Sequence, residues 1–212
     1  MTYARSYARS YARSYAEAPL VALLISWQDD ARDLLQPLRP SLHPEGVLPS
    51  DELAARAAAI RRLRWTMIPR ETRKQRYVWP VMRKHLFPGT QTMPSGDEVV
   101  KQLQSRKRRF EQELLRLRWA DERSTHFDRQ LGVVIDQIQS YIGYQEEQLP
   151  RIATQIPSAE QGRLCEQLTD RRTLLPVQPH PDLPAVPWVA AATAPVVAVL
   201  DRWRDWLSTA PG

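Results

Sequence analysis

The sequence predicts an all-α fold: an antiparallel up-down four-helix bundle with an extra helix and a Pro-rich C-terminal extension. Three observations predict it. Apolar residues recur at i, i+3 and i+4 over long stretches, the spacing of one helix face. Period-two alternation, the mark of strands, is nearly absent. Glycine is scarce, 7 residues in 212, while the 18 Pro punctuate the ends of the periodic stretches. Four long amphipathic segments joined by short connections pack most simply as a bundle. The chain divides into a low-complexity tail (1–17), a bundle (18–155), and an accessory helix with the C-terminal extension (156–212).

The first helix is expected over about 18–38, where Leu20, Leu23, Leu24, Trp27, Ala31, Leu34, Leu35 and Leu38 form its stripe. Pro37 and Pro40 end it. Ser50, followed by Asp51 and Glu52, reads as an N-cap with acids in the first turn. That helix should run to about residue 86, kinked or broken at Pro69 and Pro80. Ser95-Gly-Asp-Glu98 is a capping-box sequence opening a third helix to about residue 119. Its stripe is Val99, Leu103, Phe110, Leu114 and Leu117. The fourth helix should cover about 124–152, with Phe127, Leu131, Val134, Ile135, Ile138, Tyr141, Ile142 and Leu149 inward. A second capping-box sequence, Ser158 to Gln161, opens a fifth helix to about residue 173, expected outside the bundle. Five Pro between 176 and 187 preclude regular helix, and 194–207 returns to helical spacing. Trp27, Trp65, Trp79 and Trp119 are expected in the core or between helices. Trp188, Trp203 and Trp206 belong to the extension, where they would clamp it to the bundle.

Composition narrows the function. The chain is long enough to bury a core, and 42% apolar residues is a globular value. One Cys excludes an internal disulfide or a Cys-rich metal site, and four scattered His make a multi-His site hard to build. No apolar run approaches the roughly 18 residues that span a bilayer, so no membrane association is expected. The net charge of +6 is less telling than it looks. Half of it comes from Arg5, Arg9 and Arg13 in three copies of Tyr-Ala-Arg-Ser, read as a disordered tail. A mildly basic body with many acids is poor evidence for nucleic-acid binding.

Several segments, in order, carry a resemblance. They are ETRKQRYVWPVMR (71–83), YIGYQEEQLPRI (141–152), QPHPDLP (178–184) and VLDRWRDWL (199–207). Together they resemble the bacterial hemerythrin-like HHE cation-binding family, over roughly residues 20–207. That resemblance implies a four-helix bundle with a non-haem di-iron centre held by His and carboxylates from all four helices. The implied ligand positions here are degenerate. The first-helix His falls on Gln28, the second-helix His and Glu on Arg70 and Lys74, the third-helix His on or near Lys107, and the fourth-helix His and Glu on Ser140 and Tyr144. His43, His85, His126 and His180 stand at none of them.

Arg and Lys offer only N–H donors and positive charge, so at those positions they repel a metal cation. No cofactor is therefore expected. If Arg70, Lys74 and Lys107 face one interior, three cations occupy the space of two metal ions, and unpaired charge there is too costly to keep. The commoner outcome is drift, with these positions turned into ordinary surface or core. The alternative is an organised network in which Glu111 and Glu147 are the interior ion-pair partners and Ser140 and Tyr144 supply hydroxyls. Arg70 and Lys74 in solvent over a dry apolar centre would contradict it.

Other features point to the surface or to packing. Arg106, Lys107, Arg108 and Arg109 form a possible basic surface, but acids follow at once and the opposite helix face is apolar. Glu146 and Glu147 are adjacent and point about 100° apart, so they do not make an acid–base pair. Cys165 has no activating neighbour at helical spacing and reads as structural. His126 near Glu122 reads as an exposed contact. No phosphate loop, HExxH or CxxC occurs. The functional expectation is a cytoplasmic, non-catalytic scaffold, interaction or small-ligand-sensing module, with an unknown protein or small-molecule partner. The rivals are a working di-iron oxygen or redox protein, and a weak nucleic-acid binder through 106–109.

Overall fold

The structure is a computed structural model and describes residues 17–39, 49–88, 93–118, 120 and 124–170. The described residues form helices and connections, with no strand among them. Helix α1 is Pro19–Leu35, continued by a 3₁₀ turn at Gln36–Leu38. Helix α2 is Ser50–Arg73, followed without a gap by a π-helical turn, Lys74–Val78, and by α3, Trp79–His85. Helix α4 is Gly96–Arg118, α5 is Thr125–Gln155 and α6 is Ser158–Thr169. The expectations for residues 1–16, Pro176–Pro187, 194–207 and the tryptophans 119, 188, 203 and 206 lie outside the described residues.

The two prolines of the second helical stretch act differently. Pro69 sits inside α2 without ending it. Pro80 has no N–H for the carbonyl of Arg76, and its ring crowds that carbonyl. The chain widens into a π turn just before it, and the Trp79 N–H bonds the Lys74 carbonyl instead. This turn begins at Lys74, so it sets where that side chain leaves the helix.

Side-chain caps explain two of the helix starts. Ser95 and Glu98 make the reciprocal box: the Glu98 N–H reaches Ser95 Oγ at 3.3 Å, and Glu98 Oε2 accepts from the Ser95 N–H at 2.7 Å. That pair holds the Glu98 carboxyl below its ordinary range, chiefly through the Ser95 backbone N–H. Ser124 caps α5 through the Phe127 N–H at 3.2 Å. The other two expected caps need correction. Ser50 and Ser158 are the first helical residues, Pro49 and Pro157 precede them, and neither start has a side-chain cap. Gln161 turns back instead: its Nε2 donates to the carbonyls of Ile156 at 2.9 Å and Ala153 at 3.3 Å, closing the end of α5.

The helices bury one continuous apolar core. Helix α5 packs against α4 and α1, α1 packs against α2, and α3 packs against α4. The α3–α4 approach is close enough to require glycine: a Cβ on Gly96 would stand 2.3 Å from the Met82 carbonyl oxygen. Helix α6 lies against α1 and the π turn, and its Leu164 and Leu168 are fully within the core. Arg73 Nη2 ties α2 to the end of α6 through the Asp170 carbonyl at 3.2 Å. Of the tryptophans, Trp79 is buried and Trp27 half-buried, but Trp65 is exposed, at 43%. It extends the outer face of α2 shared by Ala58, Arg61 and Arg62, one turn apart, so the expectation that it packs inside is corrected.

Candidate functional site: a buried ion-pair network

Side chains from α1, α2, the π turn, α4 and α5 meet in the middle of the apolar core. Glu71 is 4% exposed, Lys74 4%, Glu111 2% and Gln28 2%, so these polar groups are withdrawn from water. Such burial is tolerable only if each group finds partners.

The partners form a closed ring. Lys74 Nζ stands 2.5 Å from Glu71 Oε1 and donates to Gln145 Oε1 at 2.9 Å. Gln145 Nε2 in turn donates to Glu71 Oε2 at 3.3 Å. The Tyr141 hydroxyl donates to the same Glu71 oxygen, and Gln28 Nε2 donates to Gln145 Oε1 at 3.3 Å. Helical spacing makes the ring possible. Glu71 and Lys74 are three apart, and Tyr141 and Gln145 four apart, so each pair shares a face. A second ion pair lies on α4, where Lys107 Nζ meets Glu111 Oε1 at 2.7 Å.

Tyr141 links the two pairs. Its ring packs against Phe110 with centroids 5.2 Å apart. Burial pushes its hydroxyl well above the ordinary tyrosine range, and the negative charges of Glu71 and Glu111 push in the same direction. The phenol therefore stays protonated and serves as a fixed donor to Glu71. Two ammonium groups and two carboxylates leave the cluster formally neutral, which is what a buried polar cluster requires.

The remaining predicted positions fall elsewhere. Gln28, Lys74 and Lys107 are interior, but Arg70 is not. Its guanidinium reaches Asp30 at 2.8 Å near the surface and lies 5.3 Å from the Trp27 ring centre. Trp27 stands between outside and inside, since Lys74 Nζ lies 6.0 Å from the same ring. Glu147 is exposed, so its place as an interior partner is corrected: it lies two residues past Gln145, on the outer side of α5. Glu71 takes that role. Ser140 and Tyr144 are half-buried and belong to a separate outer cluster. Arg106 donates to Ser140 Oγ at 2.7 Å and stacks 4.8 Å over the Tyr144 ring.

The basic run is thereby split. Lys107 turns inward and Arg106 packs on Tyr144, leaving Arg108 and Arg109 as its exposed members. His126 is exposed. Cys165 is half-buried, with its thiol pushed up by burial, which disfavours the reactive thiolate.

Sequence reasoning missed Glu71, Tyr141 as a hydroxyl donor, and Gln145. A signal existed for Gln145. The α5 stripe steps through Ile138, Tyr141 and Ile142 to Leu149, and Gln145 occupies the intervening core position. A polar residue there needs interior partners.

The donor set does not suit a di-iron centre. The network supplies ammonium groups, amides, a phenol and two carboxylates already engaged by Lys, and it contains no imidazole. Among the described residues, no group of three or more His, Cys, Asp or Glu is placed to hold a metal ion. No helix among them is long and apolar enough to cross a membrane. No family model, curated protein or solved structure matches the chain.

Proposed function

We propose that the chain is a hemerythrin-like, antiparallel four-helix bundle whose interior is filled by its own ion pairs, and that it works as a non-catalytic scaffold or interaction module in the cytoplasm. One observation carries this reading: Lys74 Nζ lies among the interior side chains, bonded to Glu71 and Gln145. An ammonium group in that place does for the carboxylate what a metal cation does in a di-iron bundle, neutralising it without redox or Lewis-acid chemistry. A closed neutral ring fixes the register of the helices and leaves no reactive group poised toward a substrate. The role then falls to the outer surface.

Chain purified from iron-supplemented culture tests the reading. Metal analysis should return iron far below one atom per chain, with no charge-transfer absorption. About two irons per chain, the loading of a di-iron bundle, would overturn it. The nucleic-acid reading is weakened because Lys107 and Arg106 are engaged by the fold. Absence of duplex DNA binding at low salt would dismiss it, and strongly salt-dependent binding would restore it.

A further inference from the structure

Three groups of the buried ring stand in the order of an amide exchange. Lys74 supplies a primary amine, Gln145 a carboxamide, and Glu71 a carboxylate that touches both. Glu71 Oε1 lies 2.5 Å from Lys74 Nζ, and Glu71 Oε2 accepts from Gln145 Nε2 at 3.3 Å. An ammonium only donates and a carboxylate only accepts, so the Gln145 oxygen faces Lys74 and its nitrogen faces Glu71. Lys74 Nζ is 2.9 Å from that oxygen, and Gln28 Nε2 donates to it at 3.3 Å. All four residues are buried. An ion pair needs only the contact between Lys74 and Glu71. A carboxylate that also holds the amide nitrogen gives the same site a proton carrier between an amine and a leaving group.

We propose that Lys74 and Gln145 join in an isopeptide cross-link with loss of ammonia, with Glu71 carrying the protons. Lys74 Nζ first passes a proton to Glu71 Oε1, leaving a neutral amine and a neutral acid. Burial favours that exchange relative to water, because two charges vanish together. The Nζ lone pair then adds to Gln145 Cδ, and the carbonyl π pair moves onto Oε1, where the Gln28 Nε2–H group stabilises it. As that pair returns, the bond from Cδ to Nε2 breaks. Glu71 gives its proton to Nε2 and takes a second one from Nζ. Ammonia leaves, Glu71 ends as a neutral acid, and Lys74 and Gln145 share one secondary amide. The exchange is redox-neutral and needs no co-reactant. Holding the amine against the amide replaces the high concentration that so poor an electrophile requires.

Two features make the reaction slow. Amide resonance weakens Gln145 as an electrophile. Lys74 Nζ faces the carbonyl oxygen, so it must shift to reach the carbon. Freshly folded chain therefore holds the ion pair, and the cross-link accumulates with age. The new bond ties the π turn to α5 across 71 residues of sequence. The reaction acts on the chain itself, takes no outside substrate, and does not depend on how the outer surface is used.

Mass spectrometry of the full chain, incubated folded and sampled over days, tests the proposal. A species lighter than the sequence by one ammonia should accumulate. Its tryptic digest should hold a branched peptide joining Lys74 to Gln145. The chain contains no Asn, so succinimide formation at that residue cannot imitate the loss. Lys74→Arg keeps the cation and should keep the full mass. Glu71→Gln should slow the loss by roughly a hundredfold or more. Wild type held in denaturant should also keep the full mass. A folded wild type that never loses ammonia, a lighter species without the branched peptide, or cross-linking at an equal rate in Glu71→Gln or in denaturant would overturn the proposal. If the variants do not fold, the wild-type samples, folded against denatured, decide alone.

Discussion

Arg70 and Lys74 stand one turn apart on the same stretch of helix, yet they belong to different regions of the molecule. Arg70 lies at the boundary with solvent, paired with Asp30, whose side chain is 49% exposed. Lys74 lies in the core, with a side chain 6% exposed, paired with Glu71 at 5%. Both are cations with a carboxylate partner, and Trp27 touches both. What separates them is the π turn that begins at Lys74 and the reach of Arg70 along the Trp27 ring toward Asp30. Residue type and helical spacing place both cations on one side. The backbone irregularity and the nearest acid decide which of them is buried.

The difference in surroundings sets the energetics. Water and salt screen the outer pair, which contributes little. The inner pair has lost its hydration and depends on its partners. Lys74→Met should therefore have the largest effect. It leaves the Glu71 carboxylate buried without its cation and should destabilise the fold by about 3–5 kcal/mol, measured by denaturant unfolding. Arg70→Ala removes a pair of the same chemical type and should cost less than about 1 kcal/mol in the same assay. A comparable loss for the two variants would break the contrast.

The smallest effect concerns Glu98 at the start of α4, in an exposed capping box. Its folded carboxyl titrates below the ordinary value of 4.5. Its contribution is therefore complete above that value and is lost as pH falls through the lower folded value. Unfolding curves should show wild type more stable than Glu98→Gln at neutral pH, with the gap closing in acid below pH 4.5. A gap that widens in acid would contradict the assignment.

Much of the fold was legible because periodicity and caps are local. The α4 start follows from Ser95 and Glu98, and periodicity placed the α5 start near 124, where the structure shows Ser124 as the cap. The starts of α2 and α6 did not follow from their serines, because Pro49 and Pro157 already set the entry and the serines fell one position inside. The site was legible in part. Gln28, Lys74, Lys107 and Glu111 are interior residues that sequence reasoning singled out. Glu71 was hidden because Pro80 announced a backbone irregularity but not that the resulting π turn begins at Lys74, one turn from Glu71. Glu147 attracted attention as an acid near the right place, but the face of α5 that turns inward presents Tyr141 and Gln145 instead. Tertiary geometry chose among acids that the sequence left equivalent.

A double-mutant cycle on Glu71→Gln and Lys74→Met tests the central claim most directly, with a parallel cycle on Asp30→Asn and Arg70→Ala for reference. The inner pair should show a coupling energy of about 1–3 kcal/mol, with the double variant less damaged than the sum of the single ones. The outer pair should stay within about 0.5 kcal/mol of additivity. Additive behaviour of Glu71 and Lys74 within that same margin would mean that no ion pair holds the centre of this protein.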